Sequence, residues 1–303
     1  MEKKKVFIST STFAKFSDEP LRILEGSGFE HILNPTGRKV TEDELAKLAE
    51  GCVGLVAGTE KISGEVMDKL CDLKVISRCG VGMDSVDLEA AKKKGIEVVN
   101  TPDAPTLAVA ELTIGLILNL LRKISSMDKE LKYGVWNKKM GNLLLNKKVG
   151  IVGFGRIGRK VAEMLMQFGC AIAYHDSFVE NNDMGAEKMM LNDLMKWADI
   201  ISIHISESKE MIGKKEIELM KEGSWIVNTS RGGVVNEDAL YDALQSKHLS
   251  GAALDVFWKE PYAGFLKELD NVILTPHIGS YAKEARINME IESVKNLISK
   301  LEE

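Results

Sequence analysis

The chain predicts an α/β protein of two doubly wound parallel-sheet domains separated by a cleft. Three observations predict it. Strand-like and helix-like segments alternate along most of the 303 residues. The strands fall into two series rather than one. Several strands are apolar without interruption, as in Val149-Gly150-Ile151-Val152, which fits a sheet covered by helices on both faces. A chain of this length is also too long for one core and suits two domains.

The first series comprises the β-rich runs Val6–Ser9, Gly54–Ala57, Val75–Arg78 and Val98–Asn100. Helical stretches at Glu42–Ala49, Gly64–Leu70 and Asp87–Lys94 separate them. One long helix, from Leu107 to about Met127, is expected to join the two series. The second series runs through Lys148–Val152, Ala171–His175, Ile200–Ile203, Trp225–Asn228, Gly251–Leu254 and Asn271–Leu274. Both series fit the Rossmann/flavodoxin-like pattern. Residues 1–99 are expected to form a substrate-side domain and 100–282 a nucleotide domain, with a last helix, 283–303, returning to the first.

Composition narrows the function. Net charge is −5, and 45% of residues are hydrophobic and 28% charged, which is ordinary for a globular protein. The Lys runs at Lys3–Lys5, Lys92–Lys94 and Lys147–Lys148 are short and separate, so they read as solvated faces and no nucleic-acid partner is expected. The most apolar helix-like run, Leu112–Leu121, is too short to span a bilayer. The opening Met1–Ser9 has too few apolar residues for an export signal. No membrane association and a cytoplasmic location are expected. Cys52, Cys71, Cys79 and Cys170 form no C-x-x-C pair and are expected to be reduced thiols. The His and Cys residues lack metal-ligand spacing, so no metal is expected.

Gly153-Phe154-Gly155-Arg156-Ile157-Gly158 matches G-x-G-x-x-G. Alone it is also any tight strand–helix turn. Its context makes it specific: the strand Lys148–Val152 enters it, an amphipathic helix Arg159–Phe168 leaves it, and a second strand ends at Asp176, 18 residues past Gly158. The glycines permit the turn, backbone approach to a pyrophosphate and close helix–strand packing, while the helix N-terminus offers N–H groups and positive dipole. A carboxylate at Asp176 accepts from ribose hydroxyls and repels a 2′-phosphate, so NAD is expected rather than NADP.

Three polar residues follow strand ends in the second half, where open α/β sheets bind ligands. They are Arg231, Glu260 and His277, spaced 29 and then 17 residues apart. Singly, each is also an ordinary turn or surface residue. Together they suit hydride transfer to a ketone, which builds negative charge on oxygen. A histidine supplies a proton near neutral pH, a nearby carboxylate favours its charged form, and arginine's planar fork matches a carboxylate.

These blocks resemble the D-isomer-specific 2-hydroxyacid dehydrogenases. The resemblance rests on Gly153–Gly158, Asn228–Glu237, Ala253–Phe257 through Glu260-Pro261, Thr275-Pro276-His277-Ile278-Gly279-Ser280 and Arg78–Asp87, in order over roughly residues 50–290. The stretch from Arg78 through Thr106 to Gly134-Val135-Trp136 is most similar to phosphoglycerate dehydrogenases. The resemblance implies hydride exchange between NAD(H) and C2 of a small 2-hydroxy/2-oxo acid, with 3-phosphoglycerate as leading substrate and glyoxylate or hydroxypyruvate as alternatives. It implies that Arg231 and the N–H groups of Val81 and Gly82 hold the substrate carboxylate. His277 would exchange a proton with the C2 oxygen, and Glu260 would orient His277. It also places Arg156 and Ile157 at the pyrophosphate, His204 and Ile205 beside the adenine, Thr229 and Ser230 along the cofactor, and Asp255, His277 and Gly279 near the nicotinamide. Relatives are commonly dimers, here with the helix Leu107–Met127 at the interface, and cleft closure is expected to expel water.

The chain also departs from the family pattern. His204-Ile205-Ser206-Glu207-Ser208 lacks the usual proline, Tyr281 replaces a small residue after Gly279-Ser280, and Gly58-Thr59-Glu60 lacks the arginine that phosphoglycerate dehydrogenases often carry there. Arg78 and Lys139 remain as phosphate contacts. The chain stops near Glu303 without further domains, so no serine feedback is expected. Two rivals stand beside this reading. A non-enzymatic NAD(H) sensor is opposed by the presence of Arg231, Glu260 and His277, and a formate-dehydrogenase-like enzyme by Glu260, where glutamine would be expected.

Overall fold

In the computed structural model, residues 3–303 are described; Met1 and Glu2, which open the tested export-signal segment, lie outside the described residues. The chain forms two compact units. The first ends at Pro105 and also takes Ser280–Glu303; the second is Thr106–Gly279.

The first unit runs β1 (Lys5–Ile8), α1 (Glu19–Gly26), β2 (Glu30–Leu33), α2 (Glu42–Leu48), β3 (Cys52–Ala57), α3 (Gly64–Lys69), β4 (Val75–Arg78), α4 (Leu88–Lys94) and β5 (Glu97–Asn100). Its sheet is parallel, in the order β2-β1-β3-β4-β5. Side-chain alternation sends Phe7, Leu55 and Ile76 to one apolar layer and Val6, Ile8, Val56 and Val75 to the other. Local chemistry fixes the helix ends. Thr41 and Glu44 form a capping box at α2. Asp87 caps α4 through Ala90 N, and Gly95 ends it at φ +69°.

The second unit opens with α5 (Thr106–Arg122) and α6 (Ile124–Lys132). It continues through β6 (Lys148–Val152), α7 (Arg156–Gln167), β7 (Ala171–His175), β8 (Glu187–Lys188), α8 (Leu191–Trp197), β9 (Ile200–Ile203) and α9 (Lys214–Leu219). Then come β10 (Ser224–Asn228), α10 (Glu237–Gln245), β11 (Leu249–Leu254) and β12 (Val272–Leu274). The seven parallel strands lie in the order β12-β11-β10-β9-β6-β7-β8. Apolar layers cover both faces, with α5 and α7 on one and α8, α9 and α10 on the other. The last helix, α11 (Lys283–Glu302), packs on the first unit. Leu297 reaches the face left open by Gly54, and Ser77 Oγ donates to Ser293 O at 2.7 Å.

Several expectations need correction. The long joining helix is two helices: Lys123 sits at φ +55°, and the Asn119 side chain caps the new start by accepting from Ser125 N at 2.9 Å. The expected break after residue 99 falls after Pro105, because Gly80 N donates to Thr101 Oγ1 and Asn100 Nδ2 donates to Val81 O, binding this stretch to the first unit. Residues 280–282 likewise belong to the first unit. The helix expected from Arg159 begins at Arg156. Three elements were not anticipated: α1, the half-exposed edge strand β2 and the two-residue strand β8. All four cysteines are thiols; Cys71 is exposed.

Candidate active site

In the second unit, strand order reverses between β6 and β9, on either side of the first strand. Such a switch point leaves a crevice at the carboxyl ends of the strands, and there β6 runs into the glycine turn. Gly153 sits at φ +90°, where a side chain would strike the His204 carbonyl, and a side chain at Gly158 would strike Gly153 O. Those two glycines allow the turn and the close packing. Gly155 differs: a side chain there would meet nothing within 4 Å. It is the N-cap of α7 and makes no side-chain cap, so the helix N-terminus faces an open cradle.

Asp176 closes this cradle at the end of β7. Oδ2 accepts from Phe154 N at 2.6 Å, and Oδ1 from Phe178 N and Val179 N. Burial raises its pKa, but those three backbone amides outweigh burial, and the net shift is downward. An open anion cradle beside an ionised carboxylate fits the pyrophosphate and ribose of NAD. His204, at the end of β9, turns inward: Nε2 pairs with Ser202 Oγ at 2.8 Å, and Nδ1 is buried with no hydrogen-bond partner among the described residues. Burial lowers its pKa to about 3. Ile205 packs against Gly153. His175 Nδ1 is tied to Met189 O at 3.0 Å, and its backbone carbonyl accepts from Gly153 N at 2.8 Å.

Three loops at the carboxyl ends of β10, β11 and β12 carry the polar trio. After β10, the Asn228 side chain accepts from Ser230 N and donates to Arg231 O, folding the loop that presents Arg231. Thr229 Oγ1 lies 2.9 Å from Thr113 Oγ1. The following Gly232 passes so close to Phe257 O that a side chain there would overlap it, which draws the arginine loop against the glutamate loop. Glu260 precedes a cis Pro261. After β12, His277 adopts φ +53°, a left-handed conformation uncommon outside glycine.

Asp255, fully buried at the end of β11, holds that backbone. It accepts from Thr275 Oγ1 at 2.6 Å, Ile278 N at 2.8 Å and Gly279 N at 2.8 Å. The result is a close pair: His277 Nδ1 lies 2.9 Å from Glu260 Oε2 and 3.2 Å from Oε1. With Nδ1 engaged by the carboxylate, Nε2 is the nitrogen presented outward. The loops border an open depression lined by Ser208, Gly232, Phe257, Trp258 and Glu260.

In the first unit, Arg78 Nη1 donates to Cys79 O at 2.6 Å and arches over Gly80. Among the described residues, the N–H groups of Val81 and Gly82 meet no acceptor. Lys139, in the second unit, lies 2.6 Å from Glu130 Oε1 and 2.7 Å from Ser126 Oγ. Tyr281 is exposed. Sequence reasoning missed the fastening work of Asp255, since a strand-end aspartate carries no mark of its three donors. It also gave Glu60 no role. No group of three or more His, Cys, Asp or Glu suited to a metal occurs among the described residues, and none of their helices is long and apolar enough to cross a membrane.

A dinucleotide cradle with a ribose-side acid, beside an arginine and a glutamate-backed histidine, defines an NAD-dependent oxidoreductase acting on a CH–OH group. The chain belongs to the D-isomer-specific 2-hydroxyacid dehydrogenase family: residues 114–279 match the model of that family's NAD binding domain. It is 38% identical over 279 residues to the hydroxypyruvate reductase of Thermotoga maritima, covering 89% of this chain and 91% of that one. It is 41% identical over 280 residues to the D-3-phosphoglycerate dehydrogenase of Methanocaldococcus jannaschii, covering 89% of this chain but only 53% of that protein. Among solved structures, the TT0316 protein of Thermus thermophilus superposes with a TM-score of 0.91 at 35% identity, covering 98% of this chain and 97% of that one.

Proposed function

We propose that the chain reduces a small unphosphorylated 2-oxo acid, of the hydroxypyruvate or glyoxylate type, to the 2-hydroxy acid. The balanced reaction is 2-oxo acid + NADH + H⁺ → 2-hydroxy acid + NAD⁺. The observation that carries the substrate class is the engagement of both cations expected to take a phosphate: Lys139 pairs with Glu130, and Arg78 folds over its own loop. The loop after β3 presents Glu60 where an arginine would serve a phosphate. The relative named hydroxypyruvate reductase is matched over 91% of its length.

The mechanism follows from residue chemistry. Bound NAD(H) supplies or takes the hydride. Its holders in this reading are Gly153, Gly155, Arg156, Ile157, Gly158 and Asp176, with His204, Ile205, Thr229, Ser230, Arg231, Asp255, His277 and Gly279 along its length. Arg231 grips the substrate carboxylate and polarises the C2 oxygen, and the unused N–H groups of Val81 and Gly82 grip the same carboxylate. His277 gives its Nε2 proton to the C2 oxygen as negative charge builds there. Glu260 holds Nδ1 and balances the charge of the protonated ring. Such positioned acid catalysis contributes about 10²–10⁴-fold in rate.

A second reading is reduction of 3-phosphohydroxypyruvate. The likeness of the Arg78–Trp136 stretch to phosphoglycerate dehydrogenases and the 41% identity to one of them favour it. Steady-state NADH oxidation with hydroxypyruvate, glyoxylate, pyruvate and 3-phosphohydroxypyruvate separates the two. The unphosphorylated acids are expected to give the higher kcat/KM; a strong preference for the phosphorylated acid would replace the first reading with the second.

The working protein in this reading is a homodimer. The apolar surface that supports it lies beyond α5, whose own apolar face is spent in its unit's core. Leu131, Tyr133, Val135, Trp136, Met140 and Leu143 are all exposed within one short stretch of chain, and a run of exposed apolar side chains supports an interaction surface there.

A further inference from the structure

Two glycines follow Arg231, and one dipeptide of the neighbouring loop packs on both. A side chain built at Gly232 would overlap Phe257 O, and one built at Gly233 would lie 2.5 Å from the Trp258 ring. Gly233 also sits at φ +79°, a backbone conformation that favours glycine.

The same dipeptide leads to the other half of the site. Phe257 N donates to Glu260 Oε1 at 3.2 Å, and Glu260 Oε2 holds His277 Nδ1 at 2.9 Å. Phe257-Trp258 is thus a wall shared by the arginine loop and by the Glu260–His277 pair. One side chain fastens that wall. Trp258 N donates to Glu237 Oε1 at 2.7 Å, a charge-assisted hydrogen bond. Glu237 is the first residue of α10, the helix that follows the arginine loop. The chain of contacts therefore closes on itself. It runs from the two glycines to Phe257-Trp258 and returns through Glu237 to the far end of the same loop.

Core packing does not account for the indole. Trp258 is 72% exposed, and what its ring covers is Gly233. The chemistry supplies a reason. Arg231 must polarise the C2 oxygen at the point where His277 delivers the proton. A misplacement of about 1 Å between groups that act together costs about 10²-fold in rate.

We propose that Glu237 and Trp258 are positioning residues that fix the Arg231 loop against the Glu260–His277 pair. The proposal rests on the functional reading above, in which Arg231 and His277 act on one substrate oxygen. Glu237 and Trp258 act on it only through Phe257 and the two glycines.

The test measures kcat and KM with hydroxypyruvate and with 3-phosphohydroxypyruvate, and the NADH Kd, in the full chain. The variants are Glu237→Ala, Glu237→Gln, Trp258→Ala and Trp258→Phe, with folding checked by circular dichroism. Each alanine variant is expected to lower kcat/KM by about 10- to 100-fold on whichever acid the chain turns over. KM should rise as well as kcat fall, because Arg231 also holds the carboxylate before reaction. The NADH Kd is expected to be essentially unchanged, since the glycine turn after β6 and Asp176 are untouched. In Glu237→Gln the amide oxygen still accepts from Trp258 N, and in Trp258→Phe a ring still covers Gly233. Both are expected to recover most of the loss. If Trp258→Ala does not fold, the two Glu237 variants decide. Unaltered kinetics in the folded alanine variants would overturn the proposal and leave the functional reading standing. So would a loss that the conservative variants do not recover, or one that comes with weakened NADH binding. No turnover of either acid by the unaltered chain, with NADH still bound, would overturn both.

Discussion

At the level of single residues, the site is built from side chains that spend their hydrogen bonds on loops. Asp255 spends three on the segment around His277 and so stabilises a backbone conformation that costs on the order of 1 kcal/mol or more outside glycine. Asn228 does the same for the arginine loop. His204 spends one ring nitrogen on Ser202 and buries the other, and this has a measurable cost in acid. Its folded pKa near 3 lies below the ordinary 6.5. Between those values the unfolded chain takes up a proton that the folded ring refuses. Stability from the neutral ring is therefore complete above about pH 6.5 and falls with pH, by about 1.4 kcal/mol per unit. In His204→Gln, the loss of urea stability between pH 7 and 5 should shrink by about 2 kcal/mol relative to the unaltered chain. An identical pH slope in the two proteins would show that the ring is protonated without penalty.

Elements were legible where burial left a pattern. The strands Lys148–Val152, Ala171–His175 and Ile200–Ile203 match their expected runs residue for residue, because a parallel strand buried on both faces is mostly apolar; Lys148 and His175 stand at strand ends and Ser202 is the one polar residue inside. β2 escaped for the opposite reason: Glu30-His31-Ile32-Leu33 is a half-exposed edge strand without an apolar run. β8 is two exposed residues long. The break between α5 and α6 was illegible because nothing in Leu120-Leu121-Arg122-Lys123-Ile124 breaks a helix by propensity; the stop is made by Asn119 reaching forward to Ser125. The glycine turn and the order of Arg231, Glu260 and His277 were readable, since their chemistry depends on residue type. The engagement of Lys139, in the loop after α6, by Glu130, nine residues earlier on that helix, was not.

For the whole molecule, each unit repeats one plan: a parallel sheet with a switch point, and polar residues at the carboxyl ends of the strands beside it. In this account the second unit carries the cofactor cradle and the proton donor, and the first supplies the N–H groups of Val81 and Gly82. Assembly is the other property at this scale. With Trp136 79% and Met140 88% exposed in the same stretch, the chain is expected to elute from gel filtration as a dimer at micromolar concentration, and a Trp136→Lys, Met140→Glu double variant as a monomer. A monomeric unaltered chain would remove the dimer from the account. The central claim is that His277, held by Glu260, delivers the proton that completes hydride transfer to a 2-oxo acid. The most direct measurement compares turnover of hydroxypyruvate and the NADH Kd in the unaltered chain and in His277→Gln. The account predicts a kcat at least about 100-fold lower with an NADH Kd essentially unchanged. Near-normal turnover in the variant would contradict it and assign the proton to another group.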